Sequence, residues 1–121
     1  MKRIFFPTDF SENANHAMRY AAHLAQKTKS QLIIIHAMHI PVIDGSTPVD
    51  TSSEIVEQQR EMADNRLKVL QQEVLAMTGQ EPEVICDFGF ATDLICRKAR
   101  EVKADMICMG TKGASNVIEQ L

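Results

Sequence analysis

A short glycine-containing segment near the end of the sequence, "MGTKG", has the residue types that bind phosphate groups. It holds Gly110 and Gly113, with Lys112 between them. Glycines tolerate positive φ and allow a backbone to approach a ligand closely. Successive N–H groups at such a turn, followed by a helix N-terminus, attract phosphate oxygens, and the Lys112 ammonium adds positive charge. The spacing is neither a Walker loop nor GxGxxG, so an ordinary strand-to-helix turn remains an equal alternative.

A second candidate is "PTDF", where Pro7, Thr8 and Asp9 follow an apolar run. The Asp9 carboxylate can accept hydrogen bonds from ribose hydroxyls or adenine, or hold Mg²⁺. An aspartate before a helix also serves as a capping residue, here together with Ser11. The residues alone leave both interpretations of Asp9 open.

Four apolar runs alternate with three helical patterns and position these candidates. Strands are predicted at 3–7, 31–38, 83–89 and 105–110. Helices are predicted after an N-cap at Ser11, from Glu54 to about Met77, and over 91–104, with a long loop at 39–53. This alternation predicts a doubly wound α/β domain, with an open parallel sheet and helices on both faces. Because ligands bind beyond the carboxyl ends of such strands, "PTDF" and "MGTKG" are expected at the same edge of the sheet.

The composition excludes several classes of protein. A chain of 121 residues forms one domain, and a net charge of −3 argues against a nucleic-acid partner. No run approaches the ~20 apolar residues of a membrane span, so no membrane partner is predicted. Three cysteines without CxxC spacing indicate reduced thiols and a cytoplasmic location. The histidine pairs have no third ligand nearby, so no metal site is predicted.

Three segments in order, "FFPTDFSENANHAMRYAAHLAQ", "LIIIHAM" and "DMICMGTKGAS", resemble the universal stress protein family, and the resemblance covers the whole chain. It implies a five-stranded parallel sheet in the order 3-2-1-4-5. It also implies ATP held by an aspartate after strand one, backbone after strand two, and a G-x2-G-x9-G-[ST] loop after strand four. The nucleotide-binding residues implied in this sequence are Pro7, Thr8, Asp9, Ala37, Met109, Gly110, Lys112 and Gly113. Asp9 would face ribose or adenine, and Ala37 would offer its backbone to adenine.

The chain ends at Leu121, before the second half of that loop. We therefore expect a single domain over 1–121 that is incomplete at its C-terminus and could be the front piece of a longer or tandem chain. The expected strand order is 3-2-1-4, with the fifth strand missing. ATP or another adenine nucleotide is expected to bind weakly or not at all, with Mg²⁺ only alongside the nucleotide, while the first half of the site can still engage adenosine.

Three functions fit the sequence. The first is a stress-response binding module that senses an adenine nucleotide or works through protein association. The second is a weak ATPase or phosphate-transfer enzyme that uses Asp9 and the loop around Lys112, ranked below the first. The last is a phospho-receiver, which would need Asp87 as the acceptor. A homodimer through the sheet edge is also expected, because "DMICMG" is an apolar edge strand with few charges to block pairing.

Overall fold

The computed structural model describes residues 2–39 and 49–110. Its strands are β1 (Arg3–Pro7), β2 (Gln31–Met38), β3 (Glu83–Phe88) and β4 (Met106–Ile107). Its helices are α1 (Glu12–Thr28), α2 (Val49–Thr78) and α3 (Ala91–Glu101). The described strands form one sheet in the order β3-β2-β1-β4, and every pairing is parallel. The predicted α/β class and the order 3-2-1-4 are therefore confirmed.

Successive side chains of the central strands pack alternately into two separate hydrophobic cores, one on each face of the sheet. Ile4 and Phe6 of β1 pack in one cluster with buried residues of α1 and α2, including Met18 and Leu67. Phe5, between them on β1, points to the other face and packs in a second cluster with α3. Side chains on a strand alternate between faces, so continuous apolar runs are needed where both faces are covered. The helices therefore lie on both sides of the sheet, as a doubly wound fold requires.

The first helix begins and ends at residues suited to those positions. The Ser11 hydroxyl accepts a hydrogen bond from the Ala14 amide at 3.1 Å, so the predicted N-cap is confirmed. At the other end Lys29 adopts a left-handed conformation, with φ of 55°. The Ser30 amide then donates to the Ala25 carbonyl, which satisfies the last turn and directs the chain into β2.

Two helix boundaries differ from the sequence prediction. Helix α2 begins at Val49, inside the predicted loop and ahead of Glu54, because hydroxyl and acidic residues are as common in the first turn of a helix as in a loop. The rest of that predicted loop, residues 40–48, lies outside the described residues. Helix α3 ends at Glu101, and Lys103 takes a positive φ of 55° before β4.

Strand β4 pairs over a shorter stretch than the predicted 105–110. Its register pairs Met106 with Ile4 and Ile107 with Phe5, and a last hydrogen bond runs from the Cys108 amide to the Phe5 carbonyl at 2.9 Å. Peptide groups of a strand alternate between its two neighbours, so Pro7, like Phe5, faces β4. Proline has no N–H to donate, and the ladder between β1 and β4 ends there.

Candidate functional site

Three polar side chains close together fix the loop between β1 and α1. The Thr8 hydroxyl accepts a hydrogen bond from the Phe10 amide at 3.0 Å, and the Asp9 Oδ1 accepts one from the Ser11 amide at 2.9 Å. Ser11 in turn caps α1. Phe10 between them has a φ of 65°, a left-handed conformation that is uncommon for a bulky residue. The side-chain hydrogen bonds hold the loop in this conformation and so fix the direction of Asp9.

Asp9 has a structural role and still keeps a free oxygen. Hydrogen bonds from the Ser11 hydroxyl and amide hold the pKa of the Asp9 carboxyl below its ordinary value, because they favour its charged form. The carboxylate is exposed. Its Oδ2 makes no hydrogen bond to the described part of the chain. Helix capping, one of the two sequence interpretations, is thus observed, and the second oxygen remains able to accept a hydrogen bond from a ligand.

His36 at the end of β2 is tied to the same loop. Its Nδ1 lies 2.8 Å from the Thr8 carbonyl oxygen. A carbonyl can only accept, so Nδ1 carries the proton, and in the neutral ring Nε2 is an acceptor. The ring packs against Phe10, with centroids 4.3 Å apart. The guanidinium of Arg66, on α2, lies 5.4 Å from the centre of the Phe10 ring, which completes a cationic and aromatic wall.

The backbone of Ala37 points into the space beyond the end of β1. The Ile35 carbonyl accepts from the Thr8 amide on the β1 side, and the Met38 carbonyl accepts from the Gly89 amide on the β3 side. Peptide groups along a strand alternate between its two neighbours, so the N–H and C=O of Ala37 face the β1 side. Pairing with β1 ends at Pro7 opposite Ile35. The Ala37 peptide groups therefore have no ladder partner in β1.

These features surround one open cavity of about 260 Å³ at the carboxyl ends of β1 and β2. Its lining residues are Asp9, Phe10, His36, Ala37, Met38, His39, Gln59, Met62, Ala63 and Arg66. The structure thus brings Asp9 and Ala37 together, as the resemblance implied. The contribution of α2 was missed, because a pattern of apolar spacing does not say which helix will cover a given strand end. Phe10 follows β1 and His36 lies near the end of β2. Their position near the carboxyl end of a strand was the sequence signal that could have identified them as site residues.

Gly110 makes a close packing contact with the start of α1. Its φ is not in the left-handed range, so of the two properties of glycine, tolerance of positive φ and close approach, this position uses the second. A Cβ at this position would lie 2.9 Å from the Asn13 carbonyl oxygen and 3.1 Å from the Ala17 Cβ. The close approach that requires glycine is therefore made to the start of α1, which brings the end of β4 beside the loop that carries Asp9.

The other predicted site residues do not line this cavity or lie outside the described residues. Pro7 ends β1, and Thr8 is buried beneath the loop. Met109 is about half exposed. Within the described residues, the cavity lining includes none of these three, nor Gly110. Lys112 and Gly113 lie outside the described residues, so the phosphate-binding interpretation of "MGTKG" stays a prediction.

The geometry around Asp87 does not fit the receiver alternative. Asp87 lies on β3, which β2 separates from β1 and Asp9. Its carboxylate accepts a hydrogen bond from the Phe88 amide at 2.8 Å and lies 3.6 Å from the Lys98 ammonium. Within 2–39 and 49–110, no three His, Cys, Asp or Glu residues are grouped so as to hold a metal ion. None of the helices in the described ranges is long and apolar enough to cross a membrane.

The fold and the cavity define an open, doubly wound α/β domain with a candidate ligand site beyond the carboxyl ends of its central strands. The chain belongs to the universal stress protein family, which matches it over residues 1–121. It is 33% identical over 114 residues to the universal stress protein Sll1654 of Synechocystis, and the match covers 93% of this chain and 68% of that protein. The family predicted from the sequence is confirmed.

Solved structures show the same fold. The universal stress protein UspA from Lactobacillus plantarum superposes with a TM-score of 0.80 at 19% identity, over 95% of this chain and 82% of that one. A universal stress protein in complex with cAMP gives a TM-score of 0.67 at 21% identity, over 98% of this chain and 79% of that one.

Proposed function

We propose that this universal stress protein domain is a binding module that recognises the adenosine part of an adenine nucleotide. The observation that carries the proposal is the convergence on one cavity of the Asp9 carboxylate and the Ala37 peptide groups, which have no ladder partner in β1. The chain acts in the stress response by binding such a ligand in the cytoplasm.

The hydrogen-bonding pattern at Ala37 suits adenine. Along a parallel strand, the N–H and C=O of one residue point to the same side. The C=O accepts from the exocyclic amine of adenine, while the N–H donates to ring N1. Guanine and hypoxanthine present an acceptor oxygen and an N1–H in these positions, so both bonds would be lost. Buried polar groups left without partners are the usual source of such discrimination.

The walls of the cavity suit a flat base. Phe10 and His36 supply aromatic faces, and Arg66 adds a planar cation. Stacking on such a wall is worth about 1–3 kcal/mol per base. The volume of about 260 Å³ is near the lower end of small-ligand cavities, about 300–1,000 Å³, and so favours a base over a whole nucleotide.

The remaining parts of the ligand extend outward. The free Asp9 oxygen accepts from a ribose hydroxyl, and the phosphates run toward Gly110, which packs beside the start of α1. Mg²⁺ would be present only alongside the nucleotide, where it would offset the negative charge of the phosphates. The solved family member in complex with cAMP supports this class of ligand, since cAMP combines adenine, ribose and a phosphate.

Calorimetric titration with modified nucleosides tests the proposal. Adenosine should bind at least about tenfold more tightly than inosine, because one lost pair of hydrogen bonds in a cavity is worth more than about 1.4 kcal/mol. N6,N6-dimethyladenosine, which lacks the amine protons, should weaken binding to a similar extent. Equal affinities for all three nucleosides would exclude recognition by the Ala37 peptide groups.

The contact between Asp9 and the ribose is tested by a second binding experiment. Asp9→Ala should weaken adenosine binding, while 2′,3′-dideoxyadenosine should bind both proteins equally, because it lacks the ribose hydroxyls. Glu12→Ala is the matched control, since Glu12 is an exposed carboxylate on the first turn of α1. If Asp9→Ala binds adenosine as tightly as the parent, Asp9 is not part of the site.

A further inference from the structure

Helix α2 carries an uncharged stripe on a surface that is otherwise rich in charge. Ile55, Met62, Val69 and Ala76 follow one another at intervals of seven residues. The exposed fractions of the first three are 37%, 57% and 66%, and Ala76 is also exposed. Apolar residues at heptad spacing form the seam of a helix pair.

Amide side chains complete this stripe. Gln58, Asn65 and Gln72 lie three residues after successive apolar positions, and all three are exposed. Together the two sets form a seam of a and d positions without a charged residue. The seam drifts by only about 20° per heptad on a straight helix, so it stays on one side of α2. The buried residues of α2, such as Leu67 and Leu70, lie on another side, against the sheet.

The charges beside the seam select the partner and its direction. Glu61 and Lys68 lie on one flank, seven residues apart, and both are exposed. Neither takes part in an ion pair among the described residues. On the other flank, Arg66 lies over Phe10, and Glu73 is paired with Arg19 at 2.8 Å. The charges that flank the seam without a partner among the described residues are therefore on the Glu61 side.

We infer that α2 is a docking surface for a second copy of this chain, packed antiparallel along the seam. In an antiparallel pair, equivalent flanks meet across a twofold axis, so Glu61 of each copy faces Lys68 of the other. One surface thus supplies two attractive ion pairs by symmetry. A parallel pair would instead direct Glu61 to Arg66 and Lys68 to Glu73, which already have partners within the chain.

Charge exchange distinguishes the two directions. In sedimentation equilibrium of the full chain, Glu61→Lys and Lys68→Glu should each raise the dimer dissociation constant at least about tenfold, because each creates two like-charge contacts. The double variant Glu61→Lys with Lys68→Glu should restore the parent value. In a parallel pair the double variant would not recover the parent affinity. The new lysine at position 61 would face Arg66, and the new glutamate at position 68 would face Glu73.

The seam itself is tested by Met62→Glu, which should abolish the association along α2. Phe90→Glu is the control, because Phe90 is 80% exposed at the N-cap of α3 and is not part of the seam. Circular dichroism spectra must match the parent for each variant, as expected at exposed positions. A parent chain that stays monomeric at every concentration overturns the inference. So does a failure of the double variant to recover, or an equal loss with Phe90→Glu.

Discussion

The His36 Nδ1 lies 2.8 Å from the carbonyl oxygen of Thr8, and this hydrogen bond ties the end of β2 to the loop after β1. Thr8 is only 6% exposed, so little water can replace the donor if it is lost. The bond therefore fixes the separation between the two chain segments that supply Ala37 and Asp9 to the cavity.

Removing this donor should destabilise the protein. His36→Phe keeps an aromatic ring beside Phe10 but leaves the Thr8 carbonyl without its partner. We expect the free energy of unfolding to fall by about 1–3 kcal/mol, measured by urea denaturation. His23→Phe is the control, because His23 is exposed on α1. Equal stability of His36→Phe and His23→Phe would mean that the bond contributes nothing.

The Asp9 carboxylate should make stability depend on pH. Its folded pKa is lowered by the Ser11 hydrogen bonds, so its contribution is present above the unfolded pKa of about 4 and is lost as pH falls through the folded value. Asp9→Asn keeps an acceptor oxygen but removes the charge. The stability difference between parent and Asp9→Asn should be largest near neutral pH and should shrink below about pH 4. A difference that is independent of pH would contradict this account.

Two glycines should respond in opposite ways to the same substitutions. Gly110→Ala should cost about 1–3 kcal/mol through overpacking against α1, and Gly110→Asn should cost more. Gly79 has a φ of 75°, and a Cβ there would meet no atom of the described structure within 4 Å beyond its own chain neighbours, so its constraint is conformational. Gly79→Asn should therefore be tolerated better than Gly79→Ala, because asparagine accepts left-handed φ. Chemical denaturation of the four variants provides the comparison.

The cysteines should differ in reactivity toward a thiol reagent. Cys96 is exposed, whereas Cys86 and Cys108 are partly buried. Burial raises the pKa of both Cys86 and Cys108, and nearby Asp64 adds to the effect at Cys86. The thiolate is the reactive form, so at pH 8 one thiol should react quickly and two slowly. Cys96→Ser should remove the fast phase alone, and its persistence in that variant would contradict the assignment.

Association through the sheet edge is a separate prediction. Met106 and Ile107 of β4 are about half exposed, and within the described residues β4 pairs only with β1. A lysine on an edge strand opposes strand-to-strand pairing. Ile107→Lys should therefore weaken any association that survives in Met62→Glu, as measured by sedimentation equilibrium. If Met62→Glu associates and Ile107→Lys leaves that association unchanged, the β4 edge is not the interface.

The sequence predicts the parts of this fold that depend on local pattern. Continuous apolar runs identify the strands, and Ser11 identifies the start of α1, because both signals lie within a few residues. The meeting of Asp9 and Ala37 was implied by the family resemblance, and the parallel pairing of β1 with β2 accounts for it. The bond from His36 to Thr8 joins residues 28 positions apart, and no local pattern specifies it. The close packing of Gly110 on α1 is likewise tertiary, since glycine alone does not tell which neighbour approaches.

The two cores of unequal size imply that the domain does not open as one unit. Strands β1, β2 and β3 with α1 and α2 share the larger cluster, whereas α3 packs on a smaller one. Strand β4 adds only two paired residues. Segments with fewer buried contacts unfold locally at lower free energy, so α3 and β4 form the less stable foldon. The base-sized cavity lies in the more stable part, while α3 and the two paired residues of β4 belong to the part that opens first. A ligand that contacts both parts would therefore suppress the local unfolding that occurs between them in the unliganded chain.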